Sequence, residues 1–420
     1  MRAVAVLLAF QACAAQYVPP EESVALLDSA ATYPGECPCV DKSLCEIITR
    51  DRFADGKELF AFHVAGTFGN FDQWRRYDWS RLTTLAMWEF MDEGAELYCY
   101  AKSLGARVVL PASPPADVYT GNVSAKEAWT EAVVDDARKY FYDGVNMDTE
   151  DAIDPRDRSA RDGLTEMVAR VRAALPAGAV VGFDVGWTPS IDGRFYDYAG
   201  IAEQADYLLI MACVLACSRA RTNALSAAAR YDRARRYDMA SYIFGACVAT
   251  PNSPPPQVEQ GILQYLALVE PRKLVLALPW YGRTYPCERG TGENDRYCAI
   301  APAPWRDCNC TDANAPAVDF GHVAALAETS ATGAMSDEIL EQRWMNHVDA
   351  ASGNVTQLWY DDLRSLSAKY SLVASFGLLG VGVWTANMLD YGPSPFNNSE
   401  LVPQATHDMW TAISTAPFAR

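Results

Sequence analysis

The chain has 420 residues, half of them hydrophobic, and a formal net charge of −18. That length supports one large domain or two ordinary ones around a sizeable core. The excess of carboxylates excludes the attraction by which nucleic acids and anionic membrane surfaces hold proteins, and suits a soluble protein with a neutral or cationic ligand.

The chain opens with Met1-Arg2, an apolar run over 3–10 and the small residues Ala12-Cys13-Ala14-Ala15. This pattern predicts a secretory signal peptide over residues 1–15, too short to span a bilayer. Residues 16–50 are rich in Pro and Cys and read as an irregular stapled segment. Twelve cysteines fit the oxidising compartment that secretion implies. Zinc is the alternative for the Cys37, Cys39 and Cys45 cluster, but none of the four histidines lies at ligand spacing from it. Disulfides are therefore expected, with their connectivity open. Sequons at Asn122, Asn309, Asn354 and Asn397 agree with secretion.

Eight short apolar runs follow, over 59–65, 82–90, 106–111, 144–150, 180–187, 205–211, 273–280 and 380–387. Continuous apolar runs of this length are how parallel, doubly covered strands read. Helical periodicity fills several intervals, over 124–142, 163–175 and 258–269. The alternation predicts an α/β fold, a (β/α)8 TIM barrel over residues 51–420. A doubly wound sheet is the rival, but no G-x-G-x-x-G follows an early strand. The uncharged stretch 371–389 contains Gly377, Gly380 and Gly382, and reads as a helix tail, a turn and a buried strand rather than a membrane span.

In such a barrel the strand ends carry the chemistry. Here they hold Asp148, Glu150, Asp184, Trp187, Trp280, Tyr281, Trp384 and Asn387. Polar groups among aromatic rings suit a sugar. The fourth run continues as Asn146-Met147-Asp148-Thr149-Glu150, so a strand period of two places Asn146, Asp148 and Glu150 on one face. Two carboxylates held that close cannot both ionise easily, which supplies a neutral acid beside an anion. A solvated acidic edge is the plainer reading of the spacing alone.

Asp143-Gly144-Val145-Asn146-Met147-Asp148-Thr149-Glu150 is similar to the D-x-x-D-x-D-x-E signature of family 18 glycoside hydrolases. The match extends in order through Cys37-Pro38-Cys39, Tyr77-Asp78-Trp79-Ser80, Phe183-Asp184-Val185, Pro279-Trp280-Tyr281-Gly282, Trp359-Tyr360-Asp361 and Trp384-Thr385-Ala386-Asn387. Position 146 is Asn where the chitinases of that family usually have Asp, and the chain resembles a lysosomal subgroup of the family that shares this Asn. The resemblance implies hydrolysis of β-1,4-linked N-acetylglucosamine, with Glu150 as general acid and Asp148 orienting the substrate's 2-acetamido group, the internal nucleophile. The alternatives are a chitinase acting on longer chains and a catalytically impaired sugar-binding protein. Asp143, Asn146, Asp184, Trp280, Tyr281, Tyr360, Asp361 and Trp384 are the substrate-binding candidates, with Asp143 on the opposite parity. No cofactor or metal is implied. A monomer in a lysosome, in a vacuole or outside the cell, working in mild acid, is expected.

The resemblance also implies a Tyr-Asp pair just after the sixth strand, where this chain has Ala212-Cys213-Val214. The pattern resumes at Tyr237-Asp238, so Tyr237 is the third catalytic candidate and 212–236 an insertion, either a lineage-specific loop or untranslated sequence read into the chain. Setting aside Cys13, Cys213, Cys217 and the extra Cys308, the resemblance implies a paired set of Cys37, Cys39, Cys45, Cys99, Cys247, Cys287, Cys298 and Cys310.

Overall fold

The computed structural model describes residues 26–49, 57–64, 73–87, 92–212, 247–304, 310, 314–392 and 403–415. The signal peptide, most of the 212–236 insertion, Tyr237, Asn309 and Asn397 lie outside the described residues.

Eight parallel strands close into a barrel. In chain order they are β1 (Glu58–His63), β2 (Thr84–Met87), β3 (Arg107–Ala112), β4 (Gly144–Met147), β5 (Val180–Gly186), β6 (Tyr207–Met211), β7 (Leu274–Pro279) and, after an insertion, β13 (Gly380–Trp384). β13 returns to pair with β1 in the register Glu58↔Gly380. Each of the eight expected runs therefore holds a strand, with bounds shifted by up to a few residues. The (β/α)8 expectation holds.

Side chains alternate across each strand, and the barrel sorts them into two populations. Phe60, Phe62, Tyr207, Leu209, Met211, Val275 and Ala277 face the lumen. Leu59, Ala61, Leu208, Ile210, Leu274, Leu276 and Leu278 face out into the main core under the helices. The lowest lumen layer is polar: buried Arg107 bonds the Glu58 carboxylate at 2.6 Å and the Thr84 hydroxyl at 3.0 Å.

The covering helices start where short polar side chains cap their free N–H groups. α1 is Asp92–Ser103 and α2 Ala116–Tyr119. α3 (Val123–Lys139) is capped by Asn122 and α4 (Arg158–Ala174) by Asp157. α4 begins before the expected 163 because Asp157, not Gly163, supplies the cap. Gly163 lies inside α4, where a Cβ would stand 2.0 Å from the Tyr119 carbonyl oxygen, so two helices touch there. α5 is Tyr198–Gln204 and α6 Pro255–Leu266.

Between β7 and β13 the chain builds a five-stranded antiparallel sheet that the eight-run pattern does not contain. Its strands are β8 (Gly282–Pro286), β9 (Ala317–Val318), β10 (Met335–Asp337), β11 (Gln342–Val348) and β12 (Val355–Tyr360), ordered β10-β11-β12-β8-β9. Its strands mix polar and apolar residues, so they lack the continuous apolar runs of the barrel. α7 (Phe320–Glu328) lies within the insertion; α8 (Leu363–Ser375) and α9 (Gln404–Thr415) complete the described helices.

The eight expected cysteines pair as Cys37–Cys45, Cys39–Cys99, Cys247–Cys310 and Cys287–Cys298. This removes the zinc alternative, because the sulfurs of Cys37, Cys39 and Cys45 are all spent in disulfides. Cys37–Cys45 staples the N-terminal segment to itself, and Cys39–Cys99 ties it to α1 at the barrel floor. There Asp143 is fully buried and accepts bonds from Lys102 at 2.5 Å and from the Ile48 and Val108 N–H groups at 2.7 Å each. Asp143 therefore stands at the N-terminal end of β4, away from the strand ends that carry chemistry, and its substrate-binding assignment is corrected. Its odd position, shared with outward-facing Val145 and Met147, is the physical reason.

Removing one partner of a buried ion pair strands the other charge. Lys102→Met is expected to destabilise the protein by about 3–5 kcal/mol in urea unfolding with disulfides intact. A loss below about 1 kcal/mol would mean that the N–H donors alone hold Asp143.

Candidate active site

The inward face of β4 and β5 forms a polar column at the C-terminal end of the barrel. Asn146 is fully buried; its amide donates to Asp184 Oδ2 at 2.8 Å and its carbonyl accepts from the Tyr207 hydroxyl at 3.3 Å. Tyr207 reaches this point because β5 carries Gly182 beside it. A Cβ there would lie 2.4 Å from the tyrosine ring. β4 ends at Met147, so Asp148 and Glu150 sit just past the strand rather than within it, yet they keep its parity.

The two carboxylates occupy different surroundings. Asp148 is half-buried, with Oδ1 enclosed, whereas the Glu150 side chain is 48% exposed. Burial, then the charge of Glu150, pushes the Asp148 carboxyl up to about 6, with Arg194 opposing. Asp184 is held well above the usual carboxylate range by complete burial and then by Asp148. Arg194, itself buried, donates to Glu150 Oε2 and lies 3.8 Å from Asp192.

Aromatic residues border this column. Trp384 faces inward and packs on Phe62 with ring centroids 4.8 Å apart, and Tyr281 shares the lumen cluster. Three other candidates do not reach it. Trp280 follows the outward set of β7; its indole is fully buried, bonds the Tyr370 hydroxyl at 3.1 Å and packs edge-on to Trp410. Tyr360 is buried at the end of β12, edge-on to Phe320. Asp361 is buried and consumed by Lys369 at 2.7 Å, Ser365 at 2.6 Å and Gln342 at 3.0 Å. These placements correct the substrate-binding assignments of Trp280, Tyr360 and Asp361: each side chain is already spent on packing or on a buried ion pair. Asn387, at the end of β13, instead ties to both backbone groups of Val64.

Two site residues were missed. Tyr207 was discoverable, since it shares inward parity with Leu209 and Met211. Arg194 sits in a loop, where no periodicity marks it.

The Glycosyl hydrolases family 18 model matches residues 117–388, which spans the polar column and every barrel strand from β4 onward. The chain belongs to glycosyl hydrolase family 18. It is 33% identical to the di-N-acetylchitobiase of Rattus norvegicus over 90% of this chain and 92% of that protein. It is 32% identical to that of Homo sapiens, over 90% and 88%. A probable di-N-acetylchitobiase 2 of Dictyostelium discoideum is 31% identical, over 90% of each chain. The fold resembles a crystal structure of a chitinase from Chromobacterium violaceum with a TM-score of 0.60 at 17% identity, covering 87% of this chain and 100% of that one. This family 18 chain is therefore a glycoside hydrolase, and its column of carboxylates is the candidate site of hydrolysis.

A carboxyl raised by folding binds more protons in the native state, so stability falls as pH rises between its unfolded and native values. For Asp148 that window runs from 3.8 to about 6. Asp148→Asn should thus stabilise this family 18 enzyme at neutral pH by about 1–3 kcal/mol and change little near pH 4. Thermal unfolding at the two pH values checks this; an equal shift at both would contradict it.

Proposed function

We propose that the protein hydrolyses the β-1,4 bond between N-acetylglucosamine units, in chitobiose cores of N-glycans or short chitin oligomers, with retention and substrate assistance. The observation that supports this is the unequal placement of two neighbouring carboxylates. An ordinary retaining pair needs two carboxylates facing the sugar from opposite sides. Here Glu150 is open to solvent while Asp148 is recessed beside Asp184, leaving one carboxylate positioned as acid.

In this reading Glu150 protonates the glycosidic oxygen. The substrate's acetamide oxygen attacks the anomeric carbon, and the leaving sugar departs with the proton. Asp148 accepts the acetamide N–H and stabilises the oxazolinium cation. Glu150 then deprotonates the incoming water, which opens the ring and restores the acid. Trp384 and Tyr281 provide apolar faces for the sugar. Tyr237, outside the described residues, supplies a hydroxyl to the acetamide.

Four disulfides and exposed sequons at Asn122 and Asn354 support residence in the secretory pathway or a lysosome-like compartment. Among the described residues no helix is long and apolar enough to cross a membrane.

The test is hydrolysis of chitobiose and chitotriose by protein made with and without residues 212–236. Release of N-acetylglucosamine from either form supports the reading; binding without turnover in both would leave a sugar-binding protein. Glu150→Gln should lower kcat about 10²–10⁴-fold while retaining substrate binding. Undiminished hydrolysis would refute the acid assignment.

A further inference from the structure

β4 and β5 run parallel in the register Asn146↔Gly182 and Met147↔Phe183. One step further along, Asp148 stands beside Asp184, and the period of two turns both side chains into the lumen. Asp184 is fully buried, and its Oδ2 is taken by the Asn146 amide. Its Oδ1 and the Asp148 Oδ1 are both enclosed, with no hydrogen-bond partner among the described residues. Two neighbouring carboxyls, each with an enclosed oxygen that lacks a partner among the described residues, are costly as two anions and are satisfied together by one proton.

We infer that Asp148 and Asp184 share a single proton across the β4–β5 ladder, Asp184 being the positioning acid that donates to Asp148. Among the described residues nothing else around the pair can take that part. Asn146 does not titrate, and its amide is spent on Asp184 and Tyr207. From the end of β4, Glu150 is turned to Arg194, which enters from the loop after β5. From β6, Tyr207 presents a hydroxyl held neutral by burial. One layer below, Glu58 and Arg107 neutralise each other. Burial raises both carboxyls, with Glu150 adding to the rise of Asp148 and Asp148 to that of Asp184, as a retained proton requires. The assignment changes Asp184 from a substrate contact to a group that acts through Asp148. Its catalytic consequence rests on the proposed function: with Oδ1 tied to Asp184, Asp148 keeps a fixed, anionic face for the acetamide N–H.

Infrared spectroscopy of the resting, ligand-free protein tests the proton directly. At neutral pH the wild type should show a protonated-carboxyl C=O stretch that Asp184→Asn lacks. An identical band in both proteins overturns the inference, whatever the substrate, so this outcome is independent of the proposed function. Kinetics supply the second readout. In Asp184→Asn the amide still donates to Asp148 and accepts from Asn146, so kcat should stay within about tenfold and the alkaline limb of the pH profile should move upward, whereas Asp184→Leu should lose about 100-fold, in kcat rather than KM. Equal losses in the two variants would also overturn it. If Asp184→Leu fails to fold, the band and the pH profile of Asp184→Asn decide alone.

Discussion

The strict alternation of side chains around a closed barrel is the constraint on which the rest depends. A closed barrel of eight strands leaves a lumen just wide enough for side chains to fill, so each inward position must be satisfied by its neighbours in the same or the next layer. The polar groups meet this demand as a rising column. The Glu58–Arg107 pair and Thr84 close the floor, and Asn146, Asp184 and Tyr207 bond one another above it. Only at the top does a charge face water. The chemistry of the mouth is thus built on groups that were first needed to fill the interior.

The column also divides labour between Asp148 and Glu150. Both carry the same functional group two positions apart, so sequence distance cannot separate their roles. Depth does: Asp148 turns into a low-dielectric layer shared with another carboxyl, while Glu150 meets solvent and the Arg194 guanidinium. Arg194 is itself buried and lies near Asp192, which places a supported cation under the exposed carboxylate.

Much of this was legible before any coordinates. Continuous apolar runs located all eight barrel strands, and the polar face of Asn146, Asp148 and Glu150 followed from the period of two. The same parity sets Asp143 apart from Asn146, and carried through every strand it also separates Tyr281 from Trp280. Trp280 stands at a strand end but on its outward face, and the face decides what its indole meets. Asp361 and Arg194 could not be read this way: Asp361 is spent on Lys369 of the helix that follows it, a contact no strand period marks, and Arg194 sits in an irregular loop, 44 residues from its partner Glu150. The antiparallel sheet was illegible for a related reason, since its mixed strands resemble polar loop as much as strand.

The pairing of β1 with β13 joins positions 58 and 380. A ribosome making this chain from its N-terminus finishes the barrel floor far earlier: Cys39 meets Cys99, and Lys102 meets Asp143, before the antiparallel insertion exists. Closure of the cylinder must wait for nearly the whole chain, leaving the edges of β1 and of the growing sheet unpaired throughout translation. The floor contacts thus need only the chain up to residue 143, whereas the cylinder needs its last strand.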